Sequence, residues 1–112
     1  MGYGITSESQ IIDQITVGRG CDQIETAAEG FRTAGDKIIT AGRKCNQEAL
    51  SMDDQSLEAF IVNQGEAIKQ IYDYVIRFTN SIRTFVSDLA REERAELANY
   101  QQQQATSQRN EP

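Results

Sequence analysis

Apolar residues recur along most of this chain at alternating steps of three and four, the spacing of a helix that buries one stripe. The spacing continues on both sides of the segment 50–54, where a serine precedes two acidic residues, as at the start of a helix. The only proline is Pro112, so no helix breaker interrupts the chain before its last residue. The pattern predicts an all-α protein whose two long helices form an antiparallel, coiled-coil-like hairpin.

Helix boundaries follow from the start signals at 6–10 and 51–54 and from the polar, glutamine-rich end of the chain. Gly18 and Gly20 also predict a kink or short break in helix one, since glycine costs a helix interior about 1 kcal/mol relative to alanine. The predicted parts are an N-terminal extension at 1–6, a hairpin at 7–100 with helix one at about 7–50 and helix two at about 53–100, and a disordered polar tail at 101–112.

One heptad seam on each helix is predicted to form the hairpin interface. Helix one supplies mostly small residues and helix two mostly large ones, and large side chains facing small ones fill space well. Folding the chain so that Ala49 meets Leu57 places Phe78 over Ala28, with a slip of one heptad as the alternative. The same register places Phe85 opposite Cys21 and Gln64 opposite Gly42. The predicted seam residues are Val17, Cys21, Ile24, Ala28, Phe31, Ile38, Ile68, Ile71, Val75, Phe78, Ile82, Phe85 and Leu89.

A second set of apolar residues lies outside this seam, and two helices packed only on each other would leave it in water. A four-helix bundle, formed by dimerisation or with a partner hairpin, would cover it. The predicted partner interface consists of Phe60, Val62, Tyr72, Tyr74, Ile76 and Val86, with Ile12 and Ile39 in the same stripe.

Composition argues against most chemical functions. The net charge is −6, and the basic residues are not clustered as a nucleic-acid binder requires. The chain has no histidine and no recognisable nucleophile motif, so we expect neither catalysis nor a metal or other cofactor. Cys21 and Cys45 on one helix would lie about 36 Å apart at 1.5 Å per residue, too far for a disulfide between them.

No apolar run approaches the length of a membrane span, and the N-terminus lacks the features of a cleavable signal peptide. We therefore expect no membrane insertion. The expected location is the cytoplasm, with secretion by a route that does not read a signal peptide as the other possibility.

The layout over 7–100 resembles the small WxG-type helical-hairpin proteins of bacterial type VII secretion. It shares their length, the turn at mid-chain, the polar tail and an apolar opening of helix two at 57–60. The turn lacks Trp-x-Gly, and Tyr100 is followed four residues later by Gln104, so the Tyr-x-x-x-Asp/Glu export signal is also absent. The resemblance is therefore to Trp-less relatives, which implies a Gram-positive source and a role as targeting partner of LXG-type toxins.

These observations favour a protein that binds partner helices. The partner would be the helical N-terminal domain of a toxin, a related hairpin, or a second copy of the chain. Two other hypotheses remain open at this stage: a self-assembling coiled-coil scaffold, and a cytoplasmic chaperone of another secretion system.

Overall fold

The computed structural model describes residues 4–49 and 54–110, with side chains described over 4–45 and 55–107. A 3-10 turn at Glu8–Gln10 is followed by α1 (Gln14–Ala49) and α2 (Asp54–Asn110). No strand occurs within these ranges, and the two long helices pack against each other. The all-α prediction is confirmed. The predicted turn at 50–53 lies outside the described residues.

Helix α1 begins at Gln14, later than the sequence predicted, and Asp13 caps its first turn. The Asp13 carboxylate accepts hydrogen bonds from the backbone N–H groups of Ile15 and Thr16, at 3.0 and 3.1 Å, and from the Thr16 hydroxyl at 2.8 Å. These bonds, the one from the Thr16 side chain above all, lower the pKa of Asp13. The earlier capping signal around Ser7 starts only the short 3-10 turn. This turn does not continue into a helix, because the backbone N–H of Ile12 donates to the Glu93 carboxylate, at 2.8 Å, and makes no helical hydrogen bond.

The other end of the fold also differs from the prediction, because α2 continues to Asn110 and the segment 101–110 is helical. Glutamine and alanine are good helix formers, and no proline occurs before residue 112, so the polar composition does not stop the helix. Helix α1 likewise runs unbroken through Gly18 and Gly20. The cost of two glycines is small in a helix of 36 residues.

The chain divides into two compact units, one formed by 1–20 with 81–112 and the other by 21–80. In the first unit, which we call the terminal unit, the side chains of Ile5, Val86, Ala90 and Leu97 are buried. A Cβ atom built on Gly4 would lie 3.5 Å from the Glu96 carboxylate, which places the N-terminal segment beside α2. The hydrogen bond from Ile12 to Glu93 joins the residues just before α1 to the same helix.

The second unit, which we call the central unit, is an antiparallel pair of helical segments whose backbones approach closely at glycines. A Cβ atom built on Gly65 would lie 2.6 Å from Cγ1 of Ile39 and 2.9 Å from the carbonyl oxygen of Gly35. A Cβ atom on Gly42 would lie 2.5 Å from Cγ2 of Ile61. Real Cβ contacts are longer than this, so the helices approach this closely only because these positions lack side chains.

The register of the central unit differs from the predicted seam. The Cys21 thiol lies 3.8 Å from the carbonyl oxygen of Thr79, whereas the prediction placed Cys21 opposite Phe85. Gly42 contacts Ile61 where Gln64 was expected. Ala28 is buried, but Phe78, predicted to lie over it, is 50% exposed. The partner positions are shifted along α2, and its buried face is rotated by about one residue, or 100°.

Small residues explain this correction. Among the residues whose burial the structure describes, the buried positions of the central unit are Cys21, Ala28, Gly35, Ile39, Gly42, Gly65 and Thr79. All but Ile39 are small, so the two backbones pack closely against each other. A wider spacing between the helices, filled by large side chains, is not needed. The large residues predicted for the seam then have no room between the helices.

Candidate helix-binding surface

Large apolar side chains of the central unit lie on the outside of α2 in one line. Phe60, Ile71, Tyr74 and Phe78 all fall within an arc of about 60° at 100° per residue. Their exposed fractions run from 41% for Ile71 to 65% for Phe60. A line of large exposed residues differs from the single exposed ones that any surface carries, and it marks a candidate binding surface.

Helix α1 contributes a matching line. Ile24 and Phe31 are 42% and 43% exposed, and Ile38, seven residues further on, is half-buried. Ala27 and Ala34 lie between them and are also exposed. At 100° per residue, the exposed line of α1 is rotated about the helix axis away from the buried positions of α1. The exposed line of α2 is rotated away from the buried positions of α2 in the same direction.

The two helical segments are antiparallel. Rotation in the same direction about each helix axis therefore brings the two exposed lines to the same side of the helix pair. The contacts of Cys21 with Thr79 and of Gly42 with Ile61 set the level of each residue along the helices. They place Ile24 at the level of Phe78 and Phe31 at the level of Ile71. We call this surface the apolar side and define it by the following residues: Ile24, Phe31, Ile38, Ile71 and Phe78, with Phe60 and Tyr74 along its outer edge.

The opposite side of the central unit, which we call the polar side, carries hydrogen bonds between the two helices. The Thr79 hydroxyl donates to the Glu25 carboxylate, and the Tyr72 hydroxyl donates to Glu29 at 3.1 Å. The Glu29 bond, together with burial, raises the pKa of Tyr72. Arg32 lies over the Tyr72 ring at 5.2 Å and also pairs with Glu29 at 3.4 Å.

The polar side continues to an ion pair between Lys69 and Asp36 at 2.9 Å. The hydrogen bond to Asp36 and the charge of that carboxylate raise the pKa of Lys69. The charged groups on this side of the central unit therefore find partners within the chain. Within the apolar side as defined above, no residue is charged.

Residues of the predicted partner interface fall into three environments. Phe60 and Tyr74 are exposed and belong to the apolar side. Val62, Tyr72 and Ile76 are half-buried, and Tyr72 takes part in the polar side instead. Val86 is buried in the terminal unit, and Ile39 from the same predicted stripe is buried against Gly65.

Residues of the predicted seam divide in a similar way. Cys21 and Ala28 are buried, and the thiols of Cys21 and Cys45 are both free, the second of them exposed. The half-buried members are Val17, Ile38, Ile68, Val75, Ile82 and Leu89, and the exposed members are Ile24, Phe31, Ile71, Phe78 and Phe85. The larger part of the predicted seam therefore lies at the edge or on the outside of the helix pair.

The sequence prediction missed two residues that shape the buried interface, Gly65 and Thr79. Gly65 carried only a weak signal, because a glycine inside a helical pattern costs helix stability and is tolerated both where another backbone approaches and where nothing does. Nothing lies within 4 Å of a Cβ atom at Gly18, Gly20 or Gly30, so the signal does not single out Gly65. Thr79 had no comparable signal, since an isolated threonine on a helix is more often exposed.

Other kinds of site find no support in the described residues. Over those residues there is no group of acidic, cysteine or histidine side chains that could hold a metal ion. Neither long helix, as far as it is described, contains an apolar stretch of the length needed to cross a bilayer.

Comparison with known proteins adds no further assignment: no protein-family model, no curated protein and no solved structure matches the chain. The resemblance to the WxG-type hairpins therefore rests on the sequence layout. The candidate surface rests on the geometry of the central unit.

Proposed function

We propose that this protein is a helical binding module, and that the apolar side of its central unit packs against helices of another polypeptide chain. The observation that supports this is the alignment of Ile24 with Phe78 and of Phe31 with Ile71 on one uncharged side of the helix pair. Helices recognise each other through apolar residues spaced three and four apart, and both lines have this spacing.

The distribution of polar groups supports the same function. On the polar side, hydrogen bonds and an ion pair join α1 to α2 through Glu25, Glu29 and Asp36. The apolar side has large side chains that the chain itself covers only in part. The exposed half of one such side chain presents about 100 Å², so burying it contributes about 2.5 kcal/mol at about 25 cal/mol per Å². Several of them together supply the driving force for association.

As a finer proposal, the partner is a helical protein of a type VII secretion system, and the natural candidate is the N-terminal domain of an LXG-type toxin. The support for this is the resemblance in layout, two long helices with a mid-chain connection and a polar end. In this role the protein would accompany the toxin from the cytoplasm to the secretion machinery.

Co-expression tests the proposal directly. The chain is produced with each protein encoded by the neighbouring genes, and the products are analysed by size-exclusion chromatography with light scattering. We expect a stable complex with one of them. Phe31→Glu should abolish that complex, because it places a charge in the middle of the apolar side.

Thr33→Glu is the matched control, because Thr33 is an exposed α1 residue pointing away from the apolar side. Circular dichroism shows whether both variants keep their helix content. A complex that survives Phe31→Glu unchanged, or a chain that joins no neighbour at micromolar concentration, would contradict a partner-binding role for this surface.

A further inference from the structure

We infer that the apolar side of the central unit also binds the same side of a second copy of this chain, with α1 of each copy lying on α2 of the other. The inference rests on the proposed function, because it names one occupant of the surface described there. It specifies the symmetry and the residues that meet.

The sizes of the side chains on the two helices are complementary. On α1 the exposed alanines Ala27, Ala34 and Ala41 recur every seven residues. On α2 the two most exposed aromatic residues of the unit, Phe60 and Tyr74, lie fourteen residues apart. The outer alanines have the same separation as the aromatic residues, so large residues of one copy can meet small ones of the other.

Symmetry fixes which residues meet. A two-fold axis parallel to the helices does not change the height of a residue along the helices. Each α1 residue of one copy therefore meets, in the second copy, the same α2 residues that lie beside it at that height in its own chain. The contacts of Cys21 with Thr79 and of Gly42 with Ile61 define those levels. They bring Ala27 within one helical turn of Tyr74 in the second copy, and Ala41 within one turn of Phe60.

A two-fold axis perpendicular to the helices gives a different interface. It places α1 on α1 and α2 on α2, so alanines face alanines while aromatic residues face one another. The layers in which alanines face alanines would leave cavities, and the layers in which aromatic residues face one another would be overpacked. Both are unfavourable in a packed interface. The arrangement with α1 on α2 avoids this.

The area of the surface is also sufficient. A fully exposed large apolar side chain presents about 200 Å², and six members of the apolar side have exposed fractions between 41% and 65%. They therefore expose about 600 Å² per copy, or about 1,200 Å² for two copies, at the lower end of the roughly 1,200–2,000 Å² of a stable interface. The remaining members and the alanines add to this area.

Sedimentation equilibrium of the full chain tests the inference. We expect a species of twice the chain mass of 12.5 kDa at micromolar concentration. Ala34→Glu should weaken the dimer at least tenfold, since it introduces a charge at the centre of the interface. Thr33→Glu, one residue earlier and on the other side of α1, should leave the dimer unchanged.

A size exchange tests the pairing of α1 with α2. Ala27→Tyr and Tyr74→Ala should each weaken the dimer at least fivefold, because one overfills the contact and the other empties it. The double variant exchanges the two sizes and should return the dissociation constant to within about twofold of the original. Both positions are exposed within one chain, so the single variants should keep their helix content.

Each outcome decides a separate point. A chain that stays monomeric at 100 µM overturns the inference, and so does a dimer that tolerates Ala34→Glu. A dimer without rescue in the double variant overturns the pairing of α1 with α2. If a monomeric chain still joins a neighbouring gene's product through Phe31, the self-association is wrong and the proposed function stands.

Discussion

The two sides of the central unit differ in how far the chain satisfies its own side chains. On the polar side, Glu25, Glu29 and Asp36 of α1 all have partners on α2. On the apolar side, Phe31 and Phe78 remain 43% and 50% exposed. The polar side thus joins the two helices to each other. The apolar side is the part of the unit that is left for another chain.

Glycines explain why one side of this helix pair is joined by polar contacts while the other exposes large apolar residues. Gly35, Gly42 and Gly65 bring the backbones together, so the interface closes without the large residues. Hydrogen bonds and an ion pair between polar side chains then join the helices on one side, while large apolar residues remain exposed on the other. The difference between the two sides therefore depends on the close contacts at these glycines.

Of the variants that probe the difference between the two sides, apart from their controls, Gly65→Ala is expected to have the largest effect. The added Cβ atom would lie 2.6 Å from Ile39 and 2.9 Å from the carbonyl oxygen of Gly35, so the backbones must move apart. We expect the free energy of unfolding to fall by about 2–3 kcal/mol, in spite of the better helix propensity of alanine. Urea denaturation followed by circular dichroism measures this change.

Gly30→Ala is the control for this variant, because nothing lies within 4 Å of a Cβ atom at Gly30. It should stabilise the chain by about 0.5–1 kcal/mol through helix propensity alone. Equal effects of the two changes would mean that the helices do not approach each other at Gly65.

Thr79→Val probes the polar side at its most buried point. Thr79 is fully buried, and its hydroxyl bonds to Glu25 and to the carbonyl oxygen of Ile76. Valine has nearly the same shape but removes a hydrogen bond to a charged group, so the loss should be about 1–2 kcal/mol. Thr26→Val removes an exposed hydroxyl that bonds only to its own helix, and it should change stability by less than about 0.5 kcal/mol.

Phe78→Ala probes the apolar side. Since half of this side chain already lies in water, the monomer should lose less than about 1.5 kcal/mol, well below the 3–5 kcal/mol typical of a buried phenylalanine. The measurement is made at concentrations where the chain is monomeric. Ile39→Ala, at a buried position, should cost about 2–5 kcal/mol under the same conditions. Equal losses would mean that Phe78 is part of the interior.

These contrasts show how far the sequence predicts the fold. The absence of internal proline and the spacing of apolar residues predict two long helices correctly, because both properties belong to a single helix. On α2, however, a buried and an exposed line of residues lie about 100° apart in rotation, and on α1 the two lines lie about 50° apart. Spacing alone cannot tell which line faces the partner helix and which faces outwards.

The choice between the lines depends on how closely the two backbones approach, which is a property of the pair. Large residues such as Phe78 and Ile71 contribute more apolar surface, so the sequence pattern assigns them to the interior. Gly35 opposite Gly65 reverses that assignment, because a contact of this kind excludes large side chains. Five of the seven residues of the candidate surface thus come from the predicted seam, with their role inverted, whereas Phe60 and Tyr74 come from the predicted partner interface.

Asp36→Asn probes the exposed end of the polar side and should have the smallest effect. The variant removes the ion pair with Lys69, in which the side chains are 59% and 32% exposed, so the melting temperature at pH 7 should fall only slightly. Asp36 raises the pKa of Lys69 above 10.5, so the pair stabilises the fold below that pH. Its contribution is lost as the pH rises through the raised pKa of Lys69.

The difference in melting temperature between the original chain and Asp36→Asn should therefore disappear at the alkaline end of a pH series. Asp88→Asn provides the control, because Asp88 pairs at 2.8 Å with Arg91, whose guanidinium stays charged throughout this range. Its small effect should persist at high pH. If the effect of Asp36→Asn also persisted there, Lys69 would not be the group through which Asp36 joins the two helices on the polar side.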